Sequence, residues 1–441
     1  MPVLPEMDPT VGAEPAAAAG SPAEAAVGCA PASAEPVASP LLLRNLDLLE
    51  MQRELGAFGV SAEVARRIFA AVHREGVGSI ESAQPRIRGL SRATARAIDA
   101  RVAWPELPVV DRRRSEDGFL KYLFRLGDGP EIEAVRIPLP DPDDARALRL
   151  ERGRHAQPLG LVALPTAKYV VCLSAQAGCA LACDFCETGR LGGIRNLETW
   201  EIVAQLRRIA AEADHPVRGV VFMGMGEPLL NYANVMRAAR IFASPAGPAI
   251  AAKAITVSTA GVVPLIHRYI ADEQPYRLIF SLGAPTSEER ARLMPIEKRW
   301  PLPELMAAIR AYGERSRQRI TIAYVAIGGV NTSPEHALRL AELLQGLRVK
   351  LNLIDVVDPT GRYRPPSDQE MSAFRSALDA ALGAPVVRRY SGGKDIGAAC
   401  GTLAASRKGG AAWHDPAPAS PAAPAAPASP DSPRTRLPTL S

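Results

Sequence analysis

The chain has 441 residues, 22% of them charged and 47% apolar, with 40 Pro, 35 Gly and six Cys. That length exceeds one ordinary domain, and the apolar content excludes wholesale disorder. No run of some twenty apolar residues occurs and no basic stretch followed by a compact apolar run opens the chain, so a cytoplasmic protein with no membrane partner is expected. In a reducing compartment six cysteines point to ligands or catalysts more than to staples, and the net charge of +5 is compatible with RNA without requiring it.

Residues 1–40 and 406–441 are rich in Ala and Pro with almost no large apolar side chains, so both are expected to be disordered tails, Cys29 being incidental there. Residues 41–106 read as short amphipathic helices forming a small N-terminal domain. In SAEVARRIFAAVHREG, Val64, Ile68, Phe69 and Val72 recur at helical spacing behind Ser61, a suitable N-cap. The opposite face carries Arg66, Arg67 and Arg74, and Arg86, Arg88, Arg92, Arg96 and Arg101 follow. This is either a solvated helix face or a surface for RNA.

A hairpin and connector are expected over 107–168. FLKYLFRL alternates Leu120, Tyr122, Phe124 and Leu126 against Lys121 and Arg125, and Gly127-Asp128-Gly129 supplies a turn before EIEAVRI. There Glu133 shares a face with Val135 and Ile137. Desolvation on an apolar face disfavours a charged carboxylate and makes a better base, but a Glu reaching solvent at a strand edge is the plainer reading. Residues 139–168 read as a long connector without chemistry.

Over 169–405 strands and helices alternate. KYVVCL, VRGVVFMG, AITVST, RLIFSL, ITIAYV, VKLNLI and PVVRRY are strand candidates with helical stretches between most of them. The fold class is therefore α/β with a parallel sheet, curled or open, whose ligands sit at the carboxyl ends of the strands.

Cys179-x3-Cys183-x2-Cys186 sets three thiols at the end of the first of these strands. Structural zinc wants four ligands, and no second pair or nearby His exists; a disulfide would leave one thiol over. A [4Fe–4S] cluster held by three cysteines leaves one iron open to the amino and carboxylate groups of S-adenosylmethionine, with zinc and coincidence as the lesser alternatives. The loops at the next strand ends suit such a ligand. FMGMGEP offers glycines, Gly226 among them, for close backbone approach, and Glu227 as acceptor for an ammonium. VSTAG carries Ser258, and FSLGAP carries Ser281, Leu282 and Gly283.

This cysteine spacing on this strand pattern resembles the radical S-adenosylmethionine superfamily. Cys172, seven residues before the cluster motif, and Cys400, in GGKDIGAACGTL, narrow the resemblance. Over about residues 45–405, the segments SEDGFLKYLFRLGDG, GCALACDFC, RNL, GMGEP, LMPI, GGVN and AACG are similar to the RlmN/Cfr dual-cysteine enzymes, which methylate adenine C2 or C8 in RNA. The resemblance implies a partial (β/α)6 barrel with a small N-terminal helical domain and a β-hairpin. It implies that one S-adenosylmethionine methylates Cys400 and that a second, split at the cluster to a 5′-deoxyadenosyl radical, activates the S-methyl group to add to adenine. Cys172 is then the resolving thiol, through a transient Cys172–Cys400 disulfide that cellular thiols reduce. Glu133 matches the position of the proton acceptor. Ribosomal RNA first and tRNA second are the expected substrates, flavodoxin or ferredoxin the electron donor, and a monomer the expected state.

Departures from the family pattern touch the ligand loops. Gly283 stands in place of a histidine, Gly397 in place of an acidic residue, and Asp358 in NLIDVVDPTG where a ligand-contacting Asn is expected. The competing reading is an iron–sulfur RNA-binding protein with lost or altered catalysis, which would need neither Cys172 nor Cys400.

Overall fold

In the computed structural model, residues 40–141, 143, 165–316 and 319–404 are described. Apart from Pro40, the tails expected to be disordered lie outside the described residues, as does most of the connector.

The N-terminal segment folds as its caps dictate. Helices Leu48–Gly56, Ala62–Ala70, Ile80–Ala83 and Arg92–Asp99 begin behind Asp47, Ser61, Ser79 and Ser91, whose side chains each accept a backbone N–H of the first turn. Val64, Ile68, Phe69 and Val72 are buried, as their spacing requires. On the opposite face the arginines are not a bare basic surface. Arg66 and Arg67 pair with Glu63, Arg86 with Glu75 and Arg96 with Glu81. Arg74 is structural, its guanidinium donating to the carbonyls of Gly247 (3.0 Å) and Pro245 in the barrel.

The main sheet has ten strands running β1 (Val109–Arg114), β2 (Leu120–Arg125), β3 (Glu131–Pro140), β4 (Thr166–Cys172), β7 (Val217–Phe222), β8 (Ile255–Thr259), β9 (Arg277–Ser281), β10 (Ile320–Ala326), β11 (Val349–Asp355) and β12 (Val386–Arg389). A separate small hairpin pairs β5 (Gln176–Gly178) with β6 (Gly193–Asn196). β1 to β4 are antiparallel neighbours, and from β4 to β12 every pairing is parallel. All the strand candidates of 169–405 are present, the last as a short half-buried edge. Crossover helices such as Thr199–Ala211 and Tyr232–Ala243 join the parallel strands, as parallel pairing demands.

The connector is shorter than expected. Leu139 and Pro140 close β3, residues 166–168 open β4, and the two ends pair antiparallel, Leu139 opposite Lys168. The hairpin is thereby welded to the first parallel strand, and one face of β3 looks into the barrel beside Cys172. The helices and the sheet belong to one compact unit. Among the described residues no helix is long and apolar enough to cross a membrane.

Candidate active site

The chain leaves β4 at Cys172 and enters the cysteine loop, which glycines allow to fold tightly. Gly178 has φ +72°, and a Cβ there would lie 2.0 Å from the Gly192 carbonyl; one at Gly189 would lie 2.8 Å from the Cys183 carbonyl. Cys179 N–H donates to Gly192 (2.8 Å) and Cys186 N–H to Cys183 (3.1 Å). The three cysteines are half-buried, and their thiols lie near enough to one another to interact. Burial pushes Cys179 up to about 12, the neighbouring Glu227 and Cys186 adding to it; burial and the other two thiols push Cys183 well up, and burial raises Cys186.

Three desolvated thiols held together need a cation to ionise, which is the chemistry of a metal-binding set. Among the described residues no three His, Cys, Asp or Glu side chains close on a single ion. A donor set of three thiols without a fourth fits a larger iron–sulfur group with one open position.

The strand-end loops gather beside this set. Gly226 has φ +95°, and a Cβ there would lie 2.5 Å from Gln176. Glu227 is buried; its carboxylate accepts from Leu229 N–H (3.1 Å) and Ala260 N–H (2.8 Å), and burial pushes it up to about 7 against those hydrogen bonds. Ser258 donates to the Phe222 carbonyl (2.8 Å), tying the ends of β7 and β8. Ser281 is half-buried at the end of β9, Leu282 is fully buried, and Gly283 adopts φ +74° against Met294. These residues come together at one end of the sheet, as expected.

Asp358 departs from expectation. Its side chain is fully buried and accepts from Thr360 Oγ1 (2.7 Å), Thr360 N–H (3.0 Å), Tyr363 N–H (3.0 Å) and Arg190 (3.2 Å). Burial alone would raise its pKa, yet Arg190 and these donors hold the carboxyl far below the usual range. The ligand-facing side chain expected here instead fastens its own loop to the helix Glu187–Arg190 behind the cysteine loop. Asp184, within that loop, is bonded from the same side by Arg362 and Tyr363.

Glu133 also departs from the plainer expectation, since it does not reach solvent. It is 5% exposed, lies on the face of β3 that carries Val135 opposite Cys172, and pairs with the buried Lys121 at 2.9 Å. Cys172 is buried and Cys400 exposed, and both are free thiols. Burial pushes Cys172 up to about 12, with the Cys400 thiol close enough to add to it. Cys400 N–H donates to Ser391 Oγ (3.1 Å), and the next residues bond across to the cysteine loop, Glu187 N–H to Gly401 (2.8 Å) and Thr188 Oγ1 to Leu403 (2.6 Å).

Beside the cysteines, two buried cations were not legible in the sequence. Lys121 is one. Arg290 is the other: fully buried, it donates to the carbonyls of Ala260 (2.6 Å) and Leu282 (3.2 Å), pairs with Glu297, and lies near enough to Cys183 to oppose its upward shift. For Lys121 the hairpin turn is a usable signal, because it sets Leu123 opposite Glu133 and so Lys121 diagonal to it. Nothing in SEERARLMPI distinguishes Arg290 from an ordinary surface arginine.

Comparison with known proteins agrees with this geometry. The model of the Radical SAM superfamily matches residues 173–341. A "Probable RNA methyltransferase" of Myxococcus xanthus is 50% identical over 377 residues, covering 86% of this chain and 98% of that protein. A "Dual-specificity RNA methyltransferase RlmN" of Syntrophobacter fumaroxidans is 39% identical, covering 83% and 98%. The crystal structure of a radical SAM methyltransferase from Sphaerobacter thermophilus superposes with a TM-score of 0.71 at 36% identity, over 83% of this chain and all of that one. With likeness extending over nearly the whole length of these enzymes, the chain belongs to the radical S-adenosylmethionine RNA methyltransferases of the RlmN type.

Proposed function

We propose that this enzyme places a methyl group on a ring carbon of adenine, C2 first, in ribosomal RNA and secondly in tRNA, by way of a methylated Cys400. The observation that carries the reading is the meeting of two free thiols, Cys172 and Cys400, with Glu133 beside a three-thiol loop. Adenine C2, flanked by two ring nitrogens, is too electron-poor to attack a sulfonium methyl directly, and a protein that only bound RNA would need no such thiol pair.

Cys179, Cys183 and Cys186 would hold a [4Fe–4S] cluster, and cluster and S-adenosylmethionine when bound supply the one-electron chemistry. The glycine turns at Gly226 and Gly283 give a ligand access to backbone, and Glu227, Ser258, Ser281 and Leu282 line its way in. Glu227 has lone pairs beyond the two backbone bonds for an ammonium. Asp358 acts one step back, holding the cysteine loop through Arg190. Cys400, exposed on its loop, carries the methyl group to the base. Cys172, kept neutral by burial, waits to release the product by pairing with Cys400. Glu133 takes the proton that the ring carbon loses.

The base must leave its stack to reach this depth, and the helices of 41–106 would hold neighbouring RNA. A cytoplasmic monomer served by flavodoxin or ferredoxin completes the reading. The test is anaerobic reconstitution with labelled S-adenosylmethionine and RNA. Label on Cys400 and in methyladenine, with release of 5′-deoxyadenosine, is the expected result; a reconstituted cluster yielding none of these products sinks the proposal.

A further inference from the structure

Lys121 and Glu133 form the only buried ion pair on the hairpin among the described residues, with side chains 9% and 6% exposed. A buried lysine at a hairpin position that alternation marks as polar calls for a reason, because desolvating an ammonium is costly unless its partners are well placed. Its partners lie around Cys400. Nζ is 2.9 Å from Glu133 Oε1 and donates to the Gly397 carbonyl at 3.2 Å. The other oxygen of the same carboxylate, Oε2, accepts from Ala404 N–H at 2.9 Å. The ion pair thus takes hold of both ends of the 397–404 arc that carries Cys400, one end through each partner. Gly397 itself sits at φ +62°, and a Cβ there would point at Nζ from 3.5 Å. The arc meets the ammonium through backbone, with no second carboxylate at 397 to draw it from Glu133.

The backbone of Glu133 is fixed as well. Its carbonyl accepts from Ser174 Oγ (2.5 Å) and its N–H points to Met225 Sδ (3.3 Å), so the strand cannot slide and the side chain is located by Lys121 and Ala404. Arg113 is a second cation within electrostatic reach of the carboxylate. Removing Lys121 leaves Glu133 buried with that more distant charge and one backbone donor.

We infer that Lys121 is a positioning residue of the methyl transfer, aiming the Glu133 carboxylate and anchoring the Cys400 arc through one ion pair. The inference rests on the reading of Glu133 as proton acceptor, and the test separates the two. Full-length, anaerobically reconstituted protein is compared as wild type, Lys121→Met, Lys121→Arg and Glu133→Gln. The first readout, hydrogen exchange of the 397–404 backbone, needs no RNA. Lys121→Met is expected to speed exchange there about tenfold, and Lys121→Arg to restore most of the protection. The second is RNA methylation, where Lys121→Met is expected to lower kcat about 100-fold with KM for RNA within about twofold. It should also accumulate denaturant-stable protein–RNA adduct, as Glu133→Gln should, and Arg at 121 should recover most of the rate. Unchanged exchange in Lys121→Met overturns the anchoring. Unchanged kcat in Lys121→Met, or adduct in Glu133→Gln without adduct in Lys121→Met, overturns the aiming. Faster exchange and lower kcat in Lys121→Met, with no adduct from either variant, leaves the clamp standing and removes Glu133 from proton transfer.

Discussion

The two cysteines of the transfer differ in the property their proposed tasks require. Cys400 is exposed on a loop and can meet a methyl donor and then a base; Cys172 is buried at the end of β4, where desolvation keeps it a neutral thiol. Their replacement should therefore fail at different stages. Cys400→Ala has no carrier, and RNA methylation should fall by at least about 1,000-fold. Cys172→Ala should complete the bond to RNA and stall there, giving a labelled species that survives denaturing electrophoresis; ordinary turnover by this variant would remove the assignment. A different side chain, His73, makes a stability prediction. It is buried against Phe69 with ring centroids 4.4 Å apart, and neither ring nitrogen makes a hydrogen bond of good geometry, although Leu46 backbone is near enough to pull its pKa slightly upward. Burial, with Arg44 and Arg207 facing it, lowers its pKa from 6.5 to about 3. The folded chain thus refuses a proton that the unfolded chain accepts, so stability present above pH 6.5 is lost as pH falls toward 3. The loss is on the order of 2 kcal/mol between pH 6.5 and 5. His73→Phe keeps the ring and removes the titration, so its urea midpoint should drop less than that of wild type between pH 7 and pH 5. Equal drops would show that His73 does not titrate as buried.

Strand ends and the loops beyond them carry the site, and much of this was legible. Each apolar run after residue 169 became a strand because burial on both faces of a parallel sheet demands such runs, and the glycine- and serine-bearing loops followed at one end. The cysteine loop was legible from spacing alone. What periodicity does not encode is which buried polar groups meet across long stretches of chain. Asp358 finds Arg190, Lys121 finds Gly397, and Arg290 gathers the loops after β8 and β9, all by tertiary contact. The sequence pattern marks these residues as charged and therefore exposed, and in each case a partner supplied by another element reverses that. Arg290 shows what such a contact is worth. Its guanidinium bonds Ala260, whose own N–H goes to Glu227, so the loops after β7, β8 and β9 are stitched through one residue. Arg290→Met leaves Glu297 buried without its cation and should cost about 3–5 kcal/mol, seen as a lower thermal unfolding midpoint. Adding Glu297→Leu removes the stranded charge and should return part of that loss; a double variant less stable than Arg290→Met would show that the pair is not the coupled unit.

At the scale of the whole molecule, the proposed reaction requires an RNA to be held while one base enters the barrel. The N-terminal helices carry Arg66, Arg92 and Arg96 on exposed positions and Arg67 on a half-buried one, but Glu63 already faces Arg66 and Arg67, and Glu81 faces Arg96. Four cations less two carboxylates leaves a net charge of two, which is the measure of what phosphate contact can gain there. Each phosphate contact releases counterions, with a slope of about 0.7–0.9 in log affinity against log salt. Replacing all four arginines by Gln should therefore flatten the salt dependence of RNA binding by about 1.5, in place of the loss near 3 that four unpaired arginines would give. Fluorescence anisotropy of a labelled ribosomal RNA fragment over a KCl series measures the slope directly. Arg74 provides the internal control, because its guanidinium is occupied by the Gly247 and Pro245 carbonyls where the helices meet the barrel. Arg74→Gln should lower the unfolding midpoint and leave the slope where it was. A fourfold variant with unchanged slope would free these helices from any part in RNA binding and move the contact to the barrel mouth.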